Sequence, residues 1–510
     1  MYVAPQTEPS PPTVTVRAVA QADPTKSATA LVTIGQAAGI ANQARQAVPI
    51  KLGTSGGDSL DITRTATLIT CCSGTLGSLI QRAGTFYILS NNHVLARSNQ
   101  AKIGEPITQP GLVDSNCTPA TPVAALSQFV KFPQNGTSTK PATGTVDAAI
   151  AQIVSGAVDT SGSILELGTA SSTPNVPNPA PPASSTVAPA INMKVAKAGR
   201  SSGLTCSSIT SINTVVDINY STSCSGGTTF YVEYDNQVVI NGGSFSAAGD
   251  SGSLVVNTST AQPVGLLYGG NTNSTVANPI GAVLSALADS QGNVPTIVGG
   301  SEHAIVCPSG AAAAPAGGQA AVPLAATEVA RAAEVSNRYA TWLMTNPAVA
   351  GLVVGRSHDA PGSAAIVIYV KSKPEPGAFP AQLEGVRTRI VPVSVVQAHS
   401  PSAVPEGAVA EAEVARVAAI KQDRAIQLMR ENPAIFGVGV GASEDSPGEA
   451  ALVLFVDKDM AYNAPPTVGG TRTKVVRGDR FRAWGWNERQ QPHACSVPKP
   501  SALQGSSLLP

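Results

Sequence analysis

The sequence has little charge and few aromatic residues, and its charges of opposite sign balance. Charged residues make up 13% and aromatic residues 4% of the 510 residues, and 32 lysines and arginines match 32 aspartates and glutamates. A chain without net charge has no global attraction for nucleic acid or for an anionic membrane. We therefore expect no nucleic-acid partner, and any partner has to be argued from local features.

Long apolar runs are also lacking. No stretch approaches the roughly 18 apolar residues that span a bilayer, and the first residues lack the charged and apolar regions of a signal peptide. The sequence therefore predicts no membrane insertion. In the N-terminal segment TVTVRAVAQADPTKSATALVTI, apolar and polar residues alternate as in strands of a β-sandwich. The segment resembles the end of a bacterial immunoglobulin-like repeat. This resemblance implies a truncated N-terminus, with an export signal upstream and an extracellular or cell-surface location.

The cysteines show no metal-binding pattern. There are 7 cysteines, none in a CxxC motif or paired with histidine at zinc spacing, so we expect no metal site. Disulfides are favoured over inert buried thiols. Cys117 can meet Cys71 or Cys72, and Cys206 can meet Cys224 across a hairpin. The odd count leaves at least one thiol unpaired.

Glycine and proline are abundant, with 48 and 40 residues. From residue 49 to 305 they separate short apolar runs, a pattern typical of an all-β barrel or sandwich. Residues 1–48 are interpreted as the end of the immunoglobulin-like module plus a connector. Within the β region, the Pro/Ser-rich text at 169–190 predicts an exposed loop. Residues 306–326 read as an Ala/Gly/Pro linker.

The remaining chain repeats itself. The text at 328–355 is echoed at 413–441, and each copy continues into strands, so residues 327–490 predict an α+β domain of two α-β-β-β repeats, 327–400 and 411–485. We expect the two copies to pack as one domain, and residues 491–510 to form a disordered tail. One apolar helix stripe is predicted in the first copy: Val335, Tyr339, Trp342 and Leu343.

Two motifs carry chemistry in the β region. His93, at the end of the apolar strand in GTFYILSNNHVLA, is the single histidine between residues 1 and 302. Gly249-Asp250-Ser251-Gly252-Ser253 precedes the apolar strand Leu254-Val255-Val256. A turn of this composition can aim the backbone N–H groups of Gly249 and Ser251 at one point, as an oxyanion hole requires. Taken alone, His93 also fits a structural histidine and the GDSG text an ordinary turn.

Together these motifs resemble the trypsin-like, chymotrypsin-fold serine peptidases of bacteria. The order His, Asp, Ser along the chain separates this family from subtilisin-like and α/β-hydrolase enzymes. The resemblance covers about residues 65 to 290. It implies a double β-barrel and a serine endopeptidase that acts on protein or peptide substrates without a cofactor.

The resemblance also assigns the remaining triad member. Asp147 in GTVDAAIAQI lies at the start of an apolar strand, where family members carry the aspartate that orients the histidine. A strand-edge turn residue is the alternative interpretation of Asp147, and Asp114 and Asp159 are weaker rivals. Asp250 is expected to pair with a cation that orders the oxyanion loop, for which Arg200 in KAGRSSG is the candidate.

The substrate pocket is assigned by the same resemblance. Phe245 falls at the pocket floor, and Tyr268, Gly269 and Gly270 form its wall. Leu267 stands where enzymes specific for acidic residues carry a histidine, and no carboxylate is placed to bind a basic side chain. We therefore expect cleavage after apolar or small residues. Tyr268 departs from the family, which commonly has a serine there to support the aspartate.

Other functions remain open at this point. A catalytically silent trypsin-like scaffold that binds surface partners is the main alternative, although an intact His, Asp and Ser argue against it. An esterase is disfavoured because no G-x-S-x-G elbow surrounds Ser251. The basic text at 471–482 reads as a solvated strand face rather than a nucleic-acid patch. The C-terminal domain has no assigned role.

Overall fold

The structure is a computed structural model. It describes residues 13 to 498 except residues 20–26, 34–40, 65–67, 170, 174–175, 223–226, 243, 308–325, 347, 357–362, 371–378, 393–408, 445, 447 and 484–495. The described part is mostly β, as predicted, and divides into two compact units. One unit comprises Met1–Ala311, Ala415–Gly441 and Ala451–Pro510, and the other Ala312–Val414 and Ala442–Ala450.

The first part of the chain forms one β-barrel. Its elements and those before them are β1 (Thr13–Val19), β2 (Ser27–Thr33), β3 (Thr54–Asp58), β4 (Ile62–Arg64), β5 (Leu68–Cys71), β6 (Gly74–Leu76), β7 (Ser78–Arg82), β8 (Thr85–Ser90), α1 (Asn92–Leu95), β9 (Pro106–Thr108), a 3₁₀ turn (Leu112–Ser115), β10 (Pro122–Phe129), β11 (Ala142–Gly144) and β12 (Ala149–Ile153). Antiparallel pairing runs β3-β6, then β7-β8-β12-β10-β9 and back to β3. Because β6 continues into β7 past Gly77, this pairing closes a six-stranded ring.

Buried aliphatic side chains fill the first barrel. Leu79, Ile88, Leu89, Ile107 and Ile150 are each 0% exposed and belong to one apolar cluster. Burying each such side chain contributes about 1.5–3 kcal/mol relative to leaving it in water. The short apolar runs that contain these residues therefore supply the interior of the first barrel.

The second barrel follows in sequence. Its elements and their neighbours are β13 (Ser171–Thr173), β14 (Val176–Pro177), β15 (Lys194–Gly199), β16 (Gly203–Ser221), β17 (Thr229–Asn241), β18 (Leu254–Asn257), β19 (Pro263–Gly270), β20 (Ser274–Pro279), α2 (Ile280–Ala286) and β21 (Thr296–Ile297). Antiparallel pairing closes a second six-stranded ring in the order β15-β16-β17-β20-β19-β18-β15. Two successive closed antiparallel barrels are consistent with the predicted chymotrypsin-like architecture.

The predicted immunoglobulin-like fragment is not shown, and the predicted exposed loop at 169–190 is exposed only in part. β1 and β2 pair as an isolated two-stranded hairpin, which does not show an immunoglobulin-like module. In the text at 169–190, β13 and β14 form a small hairpin and Ala183 is 1% exposed. This segment supplies no barrel strand, but part of it is buried rather than exposed.

Each of the two repeated segments forms a helix followed by strands. The elements are α3 (Ala326–Met344), β22 (Val349–Arg356), β23 (Ala364–Val370), β24 (Gln382–Leu383), β25 (Val386–Pro392), α4 (Glu411–Glu431), β26 (Ile435–Ala442), β27 (Ala450–Asp457), β28 (Thr467–Val468), β29 (Thr471–Gly478), β30 (Arg482–Ala483) and β31 (Ser496–Pro498). In both copies the third long strand lies parallel to the second. None of the helices in the described residues is long and apolar enough to cross a membrane.

Among the described residues, the two copies do not share a sheet. The first copy forms the four-stranded sheet β22-β23-β25-β24, whereas β26 of the second copy pairs with β16 of the second barrel. The copies also fall largely into different compact units, so the predicted single repeat domain is not confirmed. In α3, Val335 and Leu343 are buried as predicted, but Trp342 is 55% exposed. Residues 308–325 of the predicted linker and most of the predicted tail lie outside the described residues. The described part of the tail, β31, pairs antiparallel with β5.

The disulfide predictions are half right. Cys71 bonds to Cys117, one of the two pairings expected for Cys117. Cys206 bonds to Cys307 rather than to Cys224, which lies outside the described residues. The Cys206–Cys307 loop spans 101 residues, and a pairing so distant leaves no local signal in the sequence.

Candidate active site

His93 is presented by the first barrel. Strand β8 ends in buried residues at Ser90, and the chain turns directly into the short helix α1, which contains His93. The side chain is almost wholly buried, with 2% of the residue exposed. The Nδ1 atom of His93 lies 2.6 Å from Oδ2 of Asp147. An imidazole that donates its Nδ1 proton to this carboxylate leaves Nε2 as an acceptor.

Asp147 precedes β12 and is surrounded by donors. Its Oδ1 accepts a hydrogen bond from the backbone N–H of Asn92 at 2.8 Å, and its Oδ2 is shared by His93 and the Tyr220 hydroxyl, the latter at 2.9 Å. Both Asp147 and Tyr220 are almost fully buried. Charge-assisted hydrogen bonds of this kind fix the position of a carboxylate. They also replace the hydrogen bonds to water that the carboxylate loses on burial.

The two rival aspartates have other partners. Asp114 binds the Arg200 guanidinium through both oxygens, at 2.6 and 2.8 Å. Asp159 accepts a hydrogen bond from the Ser161 N–H at 2.9 Å in an exposed turn. Of the three candidate aspartates, Asp147 is therefore the one whose carboxylate contacts the His93 ring.

Ser251 is presented by the second barrel, just before β18. Its Oγ donates to the carbonyl oxygen of Tyr268 at 3.1 Å, and its own carbonyl accepts from the Thr75 N–H at 2.8 Å. A Cβ built on Gly74 would lie 2.5 Å from the Val94 side chain and 3.0 Å from the Ser251 carbonyl. Strand β6 is thus packed between the residue that follows His93 and the turn that carries Ser251.

Gly249 is required by the shape of this turn. Its φ is +96°, in the left-handed region, and an added Cβ would lie 2.6 Å from Nη1 of Arg200. The Gly249 carbonyl accepts from the Thr75 hydroxyl at 2.9 Å, which ties the turn to the first barrel. A backbone of this conformation suits an oxyanion-binding loop.

Asp250 holds the loop through backbone N–H groups and a lysine, and not through Arg200 as predicted. Its carboxylate accepts hydrogen bonds from the backbone N–H groups of Ala247 and Ser201 at 2.9 and 2.8 Å, and it lies 3.3 Å from the Lys197 Nζ. Both members of the Lys197–Asp250 pair are 0% exposed. Burial lowers the pKa of Lys197. The predicted cation was therefore wrong, because Arg200 is taken up by Asp114 and Lys197 fills its place.

Three tyrosines line the interior beside the pair. Tyr220, Tyr234 and Tyr268 are each at most 1% exposed, and the Tyr220 and Tyr234 hydroxyls lie 3.0 Å apart. Burial raises the pKa of Tyr220 well above its usual value, so its phenol stays protonated and donates to Asp147. Tyr220 was not predicted from the sequence, in which Tyr268 stood out only as a departure from the serine that commonly supports the aspartate. Along β16, Tyr220 lies on the same face as Val216 and Ile218 and alternates with the polar Asp217 and Asn219, so it reads as an ordinary core residue.

The predicted pocket residues are not all together. Phe245 is 1% exposed and belongs to the apolar core of the second barrel, with Val255 and Leu267. Gly269 and Gly270 lie at the end of β19, next to the Tyr268 carbonyl that contacts Ser251. The pocket assignment stays a prediction.

Comparisons with known proteins match parts of the chain. The family model described as the Nal1 C-terminal domain matches residues 182–278, less than a fifth of the chain. No curated protein sequence matches this chain.

Among solved structures, the chain is similar to a glutamic-acid-specific serine protease, with 16% identity, a TM-score of 0.32, and coverage of 49% of this chain and 100% of the other. Protease A of Thermobifida fusca gives 13% identity, a TM-score of 0.29, and coverage of 48% and 98%. Cellulomonas bogoriensis chymotrypsin gives 15% identity, a TM-score of 0.28, and coverage of 46% and 94%. The structural neighbours of this chain are thus bacterial chymotrypsin-fold serine proteases, matched at low similarity over about half of its length.

Proposed function

We propose that this chain is a serine endopeptidase whose catalytic triad is His93, Asp147 and Ser251. One observation carries the proposal. The first barrel holds a buried His93–Asp147 pair with 2.6 Å between Nδ1 and Oδ2, and strand β6 of the same barrel binds the Gly249–Ser251 turn of the second. We infer that these contacts bring the Ser251 hydroxyl to the oriented imidazole of His93, which is the arrangement that nucleophilic acyl transfer requires.

The proposed reaction proceeds through an acyl-enzyme. Ser251 Oγ attacks the substrate carbonyl carbon while His93 Nε2 takes its proton, and the C–N bond breaks as His93 returns that proton to the leaving amine. Water then repeats the attack on the ester and releases the acid. Asp147 accepts the hydrogen bond from the Nδ1–H group of His93 throughout. The N–H groups of Gly249 and Ser251 bind the negative oxygen of each tetrahedral intermediate.

We further propose that Tyr220 positions Asp147. Replacing Tyr220 by Phe removes one of the donors to the carboxylate, and a hydrogen bond to a charged group contributes about 1.5–3 kcal/mol. The expected loss in kcat is therefore about 10- to 150-fold, with KM almost unchanged because Tyr220 does not meet the substrate. Tyr234→Phe is the matched control, since its hydroxyl contacts Tyr220 but not the carboxylate. Equal kcat in Tyr220→Phe and wild type would refute this role.

The proposed specificity is for apolar or small residues before the cleaved bond. The assigned pocket residues Phe245, Tyr268, Gly269 and Gly270 carry no charge, so a charged side chain would lose its hydration there without gaining a partner. A peptide library should therefore be cut mainly after Ala, Val, Leu, Phe or Tyr. Dominant cleavage after Lys, Arg or Glu would reject the assignment.

We also propose that the protein acts outside the cytosol. The disulfides Cys71–Cys117 and Cys206–Cys307 support this location, because such bonds persist in oxidising compartments.

The activity is tested by pre-steady-state kinetics with a p-nitrophenyl ester. An acyl-enzyme that forms faster than it hydrolyses releases a burst of nitrophenol close to one equivalent per protein. Ser251→Ala should abolish the burst while retaining the wild-type fold by circular dichroism. A folded wild-type protein that neither shows a burst nor hydrolyses the ester would favour the silent scaffold instead.

A further inference from the structure

The end of the second repeat lies between two strands of the second barrel. Arg482 of β30 pairs in parallel with Asn219 of β16, whose N–H donates to the Phe481 carbonyl at 3.1 Å. On its other side, β30 pairs antiparallel with β19, Ala483 opposite Gly269 and Arg482 opposite Gly270. Residues 481–483, hereafter the edge segment, therefore occupy the edge of β19.

This edge adjoins the proposed nucleophile. Gly269 follows Tyr268, whose carbonyl oxygen accepts the Ser251 Oγ hydrogen bond at 3.1 Å. An extended peptide that added itself antiparallel to this edge would run past Ser251, and strand addition of this kind is a common mode of peptide binding. The edge is where a substrate of the proposed endopeptidase would pair.

The edge segment leaves no space for a second strand there. A Cβ built on Gly269 would lie 2.6 Å from the Arg482 carbonyl oxygen, so the two backbones are in close contact. Gly269 and Gly270 are buried, although they end a strand. A substrate strand and the edge segment therefore exclude each other.

Contacts of Phe481, within the edge segment, and of Asp479, just before it, hold the segment in place. Phe481 is 0% exposed, and its ring centroid lies 5.0 Å from that of Phe436 and 5.4 Å from that of Phe455. Just before it, the Asp479 carbonyl accepts from the Asn271 side-chain amide at 2.5 Å. Contacts of this kind give an intramolecular ligand a high effective concentration.

The rest of the second repeat is also fastened to the second barrel. Lys421, which is 1% exposed in its side chain, pairs with Asp235 of β17. The Arg430 Nη2 lies 3.1 Å from the Glu233 Oε2, also on β17. The edge segment is thus the end of a docked module.

We propose that the edge segment occupies the substrate-binding edge of β19 and holds the protein in a self-inhibited state toward extended peptides. This inference rests on the proposed endopeptidase function. A small ester needs no strand pairing and can react while the segment is bound, whereas a long peptide must first displace it.

The test uses Arg482→Pro in the full chain. The Arg482 side chain is exposed, so the substitution acts mainly on the backbone: proline has no N–H and fits poorly in a strand paired on both sides. Arg482→Ala is the matched control, because it removes the same charge and keeps the N–H. We expect kcat/KM for an extended peptide to rise at least about tenfold in Arg482→Pro, equivalent to about 1.4 kcal/mol. The ester burst should stay within twofold of wild type in both variants.

Several outcomes separate the two proposals. An unchanged peptide kcat/KM in a folded Arg482→Pro protein with a normal ester burst would overturn self-inhibition and leave the endopeptidase intact. If no variant shows a burst, the endopeptidase proposal fails. Whether the edge segment covers the β19 edge is then measured by hydrogen exchange over residues 268–270. Exchange there should be at least tenfold faster in Arg482→Pro than in Arg482→Ala, and equal exchange overturns occupancy. Should Arg482→Pro not fold, Phe481→Ala, which removes the anchor, is measured in the same way.

Discussion

Ser251→Ala is expected to lower peptide hydrolysis by about 10⁴- to 10⁶-fold, because the nucleophile and the proton-transfer chain are lost together. The remaining rate would come from the oxyanion-binding amides of Gly249 and Ser251, which the substitution keeps. The measurement is kcat/KM on an extended peptide, made in the Arg482→Pro background if the wild type proves slow.

Ser253→Ala controls for damage to the turn. Ser253 lies two residues further along, is 0% exposed, and donates to the Asp250 carbonyl at 2.6 Å. Losing that bond should cost about 0.5–1.5 kcal/mol of stability, with activity within tenfold of wild type. Comparable losses of activity in both variants would mean that the turn, and not the Ser251 hydroxyl, is what matters.

Asp147→Asn should reduce kcat at neutral pH by about 10⁴-fold. The carboxylate holds the proton on Nδ1 of His93, whereas an amide can present its NH₂ group there and favour the tautomer with the proton on Nε2. A protonated Nε2 cannot accept the Ser251 proton. The substitution is nearly isosteric, and the Asn92 N–H can still donate to the amide oxygen, so the fold should be preserved.

Asp159→Asn is the matched control for this prediction. Asp159 was a rival candidate in the sequence, and its carboxylate lies in an exposed turn with Ser161. Its replacement should leave kcat within twofold. If Asp147→Asn retained most of the wild-type kcat, the His93–Asp147 pair would be structural and the triad assignment would fall.

Local sequence patterns located most of the elements that carry the site. An apolar strand followed by a turn is visible before His93, and an apolar strand follows both Asp147 and Ser251, so the barrel positions of these residues could be anticipated. The closing of each barrel could not, because strand pairing between distant segments leaves no periodic signal. The family resemblance supplied that step.

Buried polar partners were the least predictable part. Lys197 alternates with apolar residues in β15 and reads as a surface residue, yet it is 0% exposed against Asp250. Its burial is tolerable only because Asp250 lies opposite, and that partner is far away in the sequence. The same reasoning explains why Tyr220 was overlooked and why Arg200 was assigned to the wrong carboxylate.

The repeats illustrate a different limit. Helical periodicity correctly placed Val335 and Leu343 in the core, but it could not tell which surface each copy would cover. Equal sequence patterns suggested that the two copies would cover each other. That expectation is not confirmed, and β26 extends the sheet of the second barrel through β16, an edge that the sequence did not reveal.

The most direct test is covalent labelling with a fluorophosphonate followed by peptide mapping. We expect one adduct per chain, on the peptide that contains Ser251, with none in Ser251→Ala and much slower labelling in His93→Ala. Labelling should be retained in Arg482→Pro. A folded protein that stays unmodified in both the wild type and Arg482→Pro, or that carries its adduct on another residue, would contradict the proposed hydrolytic site.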